Sequence, residues 1–156
     1  MKKTKTHLLT QQQVEGLVSE LLSRLGFVEI KIMAEVDKEE VVVDLETPEG
    51  GILIGYHGEI LGALQLILSL IFYRQGGQWQ KVSLDVGGYW QRRRQQLEQM
   101  AQETASRVKQ SGKSEEMPFL SSRERRTIHE ILAESQEATT ESIGEGRERR
   151  LVISPR

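Results

Sequence analysis

The stretch GGILIGYHGEILGALQ, residues 50–65, sets Gly55 and Gly58 around Tyr56-His57 and between two apolar runs. Upstream, the breaker Pro48-Glu49-Gly50-Gly51 leaves Ile52 to Ile54 barely one helical turn. Downstream, Glu59 to Arg74 predicts a long helix, apolar around most of its circumference and therefore well buried. The plain explanation of the two glycines is a tight turn built from residues that tolerate unusual φ. Entry into a buried helix offers a second. Unpaired backbone N–H groups and a positive dipole end would face outward, with no Cβ at either glycine to keep a sugar-phosphate chain away.

The flanks fit a mixed α+β unit. Thr10 can cap a helix with Val14, Leu17, Val18, Leu21, Leu22 and Leu25 on one face, and Gly26 suits its end. Val28, Ile30, Ile32, Ala34 and Val36 then alternate with polar residues, which predicts a half-buried strand. Asp37 to Glu40 turns the chain into a second strand, Val41 to Leu45, so the pair reads as a hairpin. After the long helix, Gly76-Gly77 precedes a third alternating run, Trp79 to Val86.

Gly87-Gly88 is the candidate boundary, dividing the chain into residues 8–87 and 88–156. Beyond it a helix is expected from Tyr89 to Gln110, with Leu97, Met100, Ala101, Ala105 and Val108 inward. Glu115 to Leu120 reads as a short edge strand because Pro118 lacks an N–H. Ser122 is the expected cap of a helix reaching about Ser135, followed by strands at Ala138 to Ile143 and Arg149 to Ile153.

Composition narrows the function. Apolar residues make up 37% and charged residues 28%, the balance of a soluble globular protein. Without cysteine there are no disulfides, thiolate nucleophiles or Cys-based metal sites. No apolar segment follows the charged start, so no signal peptide is expected. The run from Ile60 to Tyr73, broken by Gly62, Gln65 and Ser69, is too short to span a bilayer; the expected location is cytoplasmic, without membrane insertion. The net charge of −2 argues mildly against a nucleic-acid partner. Its distribution is less discouraging, because residues 1–87 hold 8 Lys and Arg against 12 acids, whereas residues 88–156 hold 13 against 11. Three arginine clusters lie in the second part, at Arg92 to Arg94, Arg123 with Arg125-Arg126, and Arg147 with Arg149-Arg150. Each alone reads first as a solvated face.

The loop itself excludes some chemistries. A nucleoside-triphosphate loop needs Gly-Lys-Ser/Thr at its end, but Gly58 is followed by Glu59-Ile60. A dinucleotide fingerprint is also absent. The histidines His7, His57 and His129 are dispersed, no metal-ligand spacing occurs, and neither an enzyme nor a cofactor is expected. A hairpin, a Gly-x-x-Gly loop opening a helix and a further strand match the arrangement of a KH domain, whose loop clamps about four nucleotides of backbone.

The run LIGYHGEILGALQLILSLI, residues 53–71, with KVSLDVGGYWQRRRQQLEQMAQETASRVKQSG, residues 81–112, resembles the Jag family of bacterial SpoIIIJ-associated proteins, also called KhpB. The resemblance continues through SSRERRTIHEILAES, which carries Arg125-x-x-x-His129, and ends in TTESIGEGRERRLVISP. It implies a type II KH domain over 8–87 and a small α+β R-three-H domain over 88–156. It also implies a binder of single-stranded RNA, or less favourably single-stranded DNA, acting after transcription on cell elongation or division. A small single-KH protein is an implied partner.

Two departures matter. Members often carry Lys or Arg where this chain has Tyr56-His57, and many place a further domain before the KH domain, where this sequence offers only a few residues. The expected contacts are Gly55, Tyr56, His57 and Gly58 in the loop, with Arg123, Arg125, Arg126 and His129 on the later helix. Arg125 and His129 are one turn apart on one face, suited to phosphate and base. Tyr56 can stack on a base, and His57, largely neutral at pH 7, would strengthen binding on mild acidification. Trp79, Tyr89 and Trp90 read as packing residues. The rival function is a protein-interaction adaptor with weakened RNA affinity.

Overall fold

Residues 8–156 are described by a computed structural model, so His7 lies outside them. Two compact units divide the chain, one ending at Tyr89 and the other beginning at Trp90.

In the first unit, α1 (Gln11–Arg24) opens with a capping box. Thr10 Oγ1 accepts from Gln13 N at 3.3 Å, and Gln13 Oε1 accepts from Thr10 N at 2.9 Å. Val14, Val18 and Leu22 form its buried stripe. Strands β1 (Lys31–Val36) and β2 (Glu40–Glu46) make the expected antiparallel hairpin. At its turn Asp37 Oδ1 accepts from the backbone N–H of Glu40 and Glu39, and these bonds hold its carboxyl below the usual range. β3 (Lys81–Val86) lies parallel to β2, pairing Val41 with Val82, Val43 with Leu84 and Leu45 with Val86, all buried. Parallel strands need a crossover. Here it consists of α2 (Gly50–Ile54), a single 3-10 turn (Tyr56–Gly58) and α3 (Glu59–Gly76). The glycine turn therefore sits inside the connection that makes the sheet.

Three expectations need correction. The first strand starts at Lys31, not Val28, because its ladder with β2 ends where Lys31 meets Glu46; Val28 is 84% exposed. The third starts at Lys81, and Trp79, read as a packing residue, is 58% exposed and rests against the Tyr73 ring, 5.7 Å between centroids. α3 is not buried all round. Leu61, Leu64, Leu68 and Phe72 are buried, but Ile60, Leu66, Ile67, Leu70 and Tyr73 are exposed. With the preceding turn it forms a 21-residue segment, Tyr56–Gly76, that by length and composition could cross a bilayer, longer than the sequence run implied. Its buried stripe packs on the sheet as that of a core helix does, with Gln65 Oε1 accepting from Leu84 N at 3.2 Å.

The second unit contains α4 (Tyr89–Ser111) from its second residue onward, then β4 (Glu115–Glu116), α5 (Ser122–Leu132), β5 (Ala138–Ile143) and β6 (Arg150–Pro155). The strands form an antiparallel sheet in the order β4-β6-β5. Leu97, Ala101 and Val108 of α4, Ile128 and Leu132 of α5, and Leu151 and Ile153 of β6 close the core. β4 stops well before Leu120, since Pro118 has no N–H for the ladder. The cap of α5 is Ser121 rather than Ser122. Only Ser121 has a glutamate three residues on, and Glu124 Oε2 accepts from Ser121 N at 2.7 Å while Ser121 Oγ accepts from Glu124 N at 3.3 Å.

Candidate nucleic-acid interface

The glycine turn is locally unusual at three corners. Gly55 has φ 69° and ψ −169°, a region essentially confined to glycine. A Cβ there would stand 2.5 Å from Ile60 Cγ1. His57 has φ 53° and ψ 27°, the one positive φ outside glycine among the described residues. Gly58, at φ 79°, caps α3 without any side-chain hydrogen bond to the helix. The 3-10 turn runs directly into α3, with Gly58 N donating to the Gly55 carbonyl at 3.5 Å and Glu59 N donating to the Tyr56 carbonyl. Tyr56 is 63% exposed, its ring edge-on to His57 with centroids 4.2 Å apart. The turn carries no permanent cation, and Glu59 places a carboxylate in the first turn of α3. Its backbone is open at the two glycines, and its side chains supply no permanent positive charge.

In the second unit, α5 and β5 border an open depression of about 490 Å³. It brings together three of the four predicted residues, Arg125, Arg126 and His129, with Thr140 and Arg149. They are not equivalent. Arg125 is only 9% exposed, and its fork is already engaged: Nη1 donates to the Leu120 carbonyl at 2.7 Å and Nη2 to Ser122 Oγ at 3.0 Å. It braces the loop before α5 and turns only part of its donor set to the depression. His129 Nδ1 bonds Thr140 Oγ1 at 2.6 Å, which fixes the ring and leaves Nε2 as the outward nitrogen. Arg126, whose side chain is 81% exposed, pairs with Glu130 at 2.9 Å. Arg149 is exposed and has no side-chain partner among the described residues.

Arg123 lies elsewhere. Its guanidinium carbon sits 3.7 Å from the centroid of the Trp90 ring, and it borders a different cavity. Sequence spacing missed Thr140 and Arg149, although the cluster Arg147 to Arg150 was the available signal for the latter. Among the described residues no group of three or more His, Asp or Glu side chains is arranged to hold a metal.

Residues 11–86 match the KH domain of KhpA/KhpB, and residues 95–155 match the R-three-H domain. Proteins from Clostridium symbiosum, Bacillus subtilis and Streptococcus pneumoniae are 33%, 32% and 31% identical to the chain over 127, 125 and 126 residues. The chain carries a KH domain of the KhpA/KhpB type followed by an R-three-H domain. The alignments cover 81%, 79% and 81% of this chain but 57%, 60% and 38% of the KhpB relatives, so the chain spans less than two-thirds of their length. Each relative is named RNA-binding protein KhpB. The two matched KhpB domains are binding modules and not enzymes.

Proposed function

We propose that the chain binds single-stranded nucleic acid, RNA in preference to DNA, at the Gly55–Gly58 turn and in the Arg125–His129 depression. The observation that carries this is the turn: a glycine-only backbone at Gly55, followed by a second positive-φ glycine, Gly58, at the entry to α3. Closely approachable N–H donors at a positive helix end suit a phosphodiester backbone. The fixed His129 ring and the exposed Arg126 and Arg149 add contacts to base and phosphate. The names of the KhpB relatives agree with RNA as the ligand. In this reading the protein acts in the bacterial cytoplasm after transcription, with an effect on cell elongation or division.

The test is titration of short labelled RNA and DNA at two salt concentrations. Tyr56→Asp/His57→Asp and Arg126→Ala/His129→Ala/Arg149→Ala are each expected to weaken RNA binding about tenfold or more. Wild type without saturable, salt-sensitive binding would sink the proposal, and a variant that binds like wild type removes its site from it. Arg125 is left intact in this test because its removal would disturb the loop at Leu120.

One observation favours protein interaction as a second function. The exposed side of α3 presents Ile67, Leu70 and Tyr73. A small single-KH protein is the partner that the family resemblance suggests. Ile67→Glu is expected to abolish such a complex in sedimentation without altering the chain's own fold.

A further inference from the structure

Arg123, separated from the other predicted contacts, marks a second cavity of about 330 Å³ between the first turns of α4 and α5. α4 supplies Trp90, Arg94 and Leu97, and α5 supplies Arg123 and Thr127. The cavity's one carboxylate is already matched. Glu124, 2% exposed at its side chain, accepts from Arg93 Nε at 2.7 Å and from Ser121 N at 2.7 Å. Arg94 is exposed and has no hydrogen-bond or ion-pair partner among the described residues. Its charge stands at the rim of the cavity, available to an incoming anion.

The Arg123 guanidinium, 3.7 Å from the Trp90 centroid, is held by a cation–π contact. Indole and guanidinium planes are both surfaces on which unstacked bases settle, and arginine forks are matched to phosphate. A cavity of this size with an aromatic wall, an apolar base at Leu97 and a cation at its rim suits a planar anion-bearing group. A bare anion would use the arginine and leave the ring idle; an apolar group would use the ring and leave the arginine idle.

We propose that the α4–α5 cavity takes one nucleotide of the bound strand, its base against the Trp90–Arg123 pair and its phosphate on Arg94. The proposal rests on the reading of the chain as a single-strand binder. It adds a contact point distinct from the glycine turn and from the Arg125–His129 depression.

The chain has two tryptophans, so Trp79→Phe leaves Trp90 as the sole indole emitter. In that background, binding of an end-labelled single-stranded RNA is followed by anisotropy and by Trp90 emission together. The expected result is saturable quenching of Trp90 with the same midpoint as the anisotropy change. Arg94→Ala should weaken binding about tenfold and lower the slope of affinity against salt by about one. Inorganic phosphate and a polyglutamate peptide should leave Trp90 emission unchanged. Strand binding with flat Trp90 emission and unchanged affinity in Arg94→Ala overturns the cavity while leaving the single-strand function standing. Equal quenching by the polyglutamate peptide overturns the nucleotide assignment in favour of an acidic protein partner. No strand binding in wild type removes both proposals.

Discussion

At Gly55 and Gly62 the same substitution has opposite expected effects. An alanine at 55 must adopt φ 69° with its Cβ 2.5 Å from Ile60 Cγ1, and is expected to lose about 1–3 kcal/mol in urea denaturation. An alanine at 62, inside α3 with nothing within 4 Å of its Cβ, should gain about 1 kcal/mol from helix propensity. The pair Arg125 and His129 divides in a similar way. Arg125→Ala would leave the Leu120 carbonyl without its donor, and should cost about 1–3 kcal/mol of stability. His129→Ala should leave the melting temperature nearly unchanged while reducing RNA affinity. The four-residue spacing made this pair legible in the sequence, because spacing sets the helix face. It did not show depth: the loop at Leu120 covers Arg125 and leaves His129 in the open, and nothing in the local pattern encodes that fold-back.

Among the elements, the hairpin and the crossover were readable from alternation and breakers, since period-two patterning is intrinsic to a strand with one buried face. The span of α3 was readable as well, but not its buried side, because a helix apolar on every side carries no signal of which side meets the sheet. The start of β1 was missed for a related reason. Val28 and Ile30 keep the alternation, but β2 offers no partner beyond Glu46. The polar face of the first sheet carries its own titration. Asp44 has its carboxyl raised above the usual carboxylate range, first by partial burial and then by Asp85 on β3 and Glu35 on β1. The folded chain therefore holds that proton more tightly than the unfolded chain. Stability contributed by this site falls as pH rises from the unfolded value, about 3.9, through the raised folded one. Asp44→Asn should be more stable than wild type at pH 7, with the difference shrinking as pH falls through the raised folded value and gone by about 4, as read from urea midpoints.

For the molecule as a whole, a net charge of −2 and a loop without a permanent cation set the expected binding regime. Affinity at the turn should therefore be modest. The arginine-richer second unit should dominate the salt dependence. The parallel pairing of β2 with β3 has one more consequence, for the order in which a growing chain becomes competent. Both glycines emerge early, yet α3 has no complete sheet to close against until Lys81 to Val86 has followed and Leu84 has met Gln65. A nascent chain halted before Lys81 would display the glycine turn but lack the strand that fixes its geometry. Ligand capture at that turn would therefore switch on over a few residues of synthesis, after the turn itself has been made.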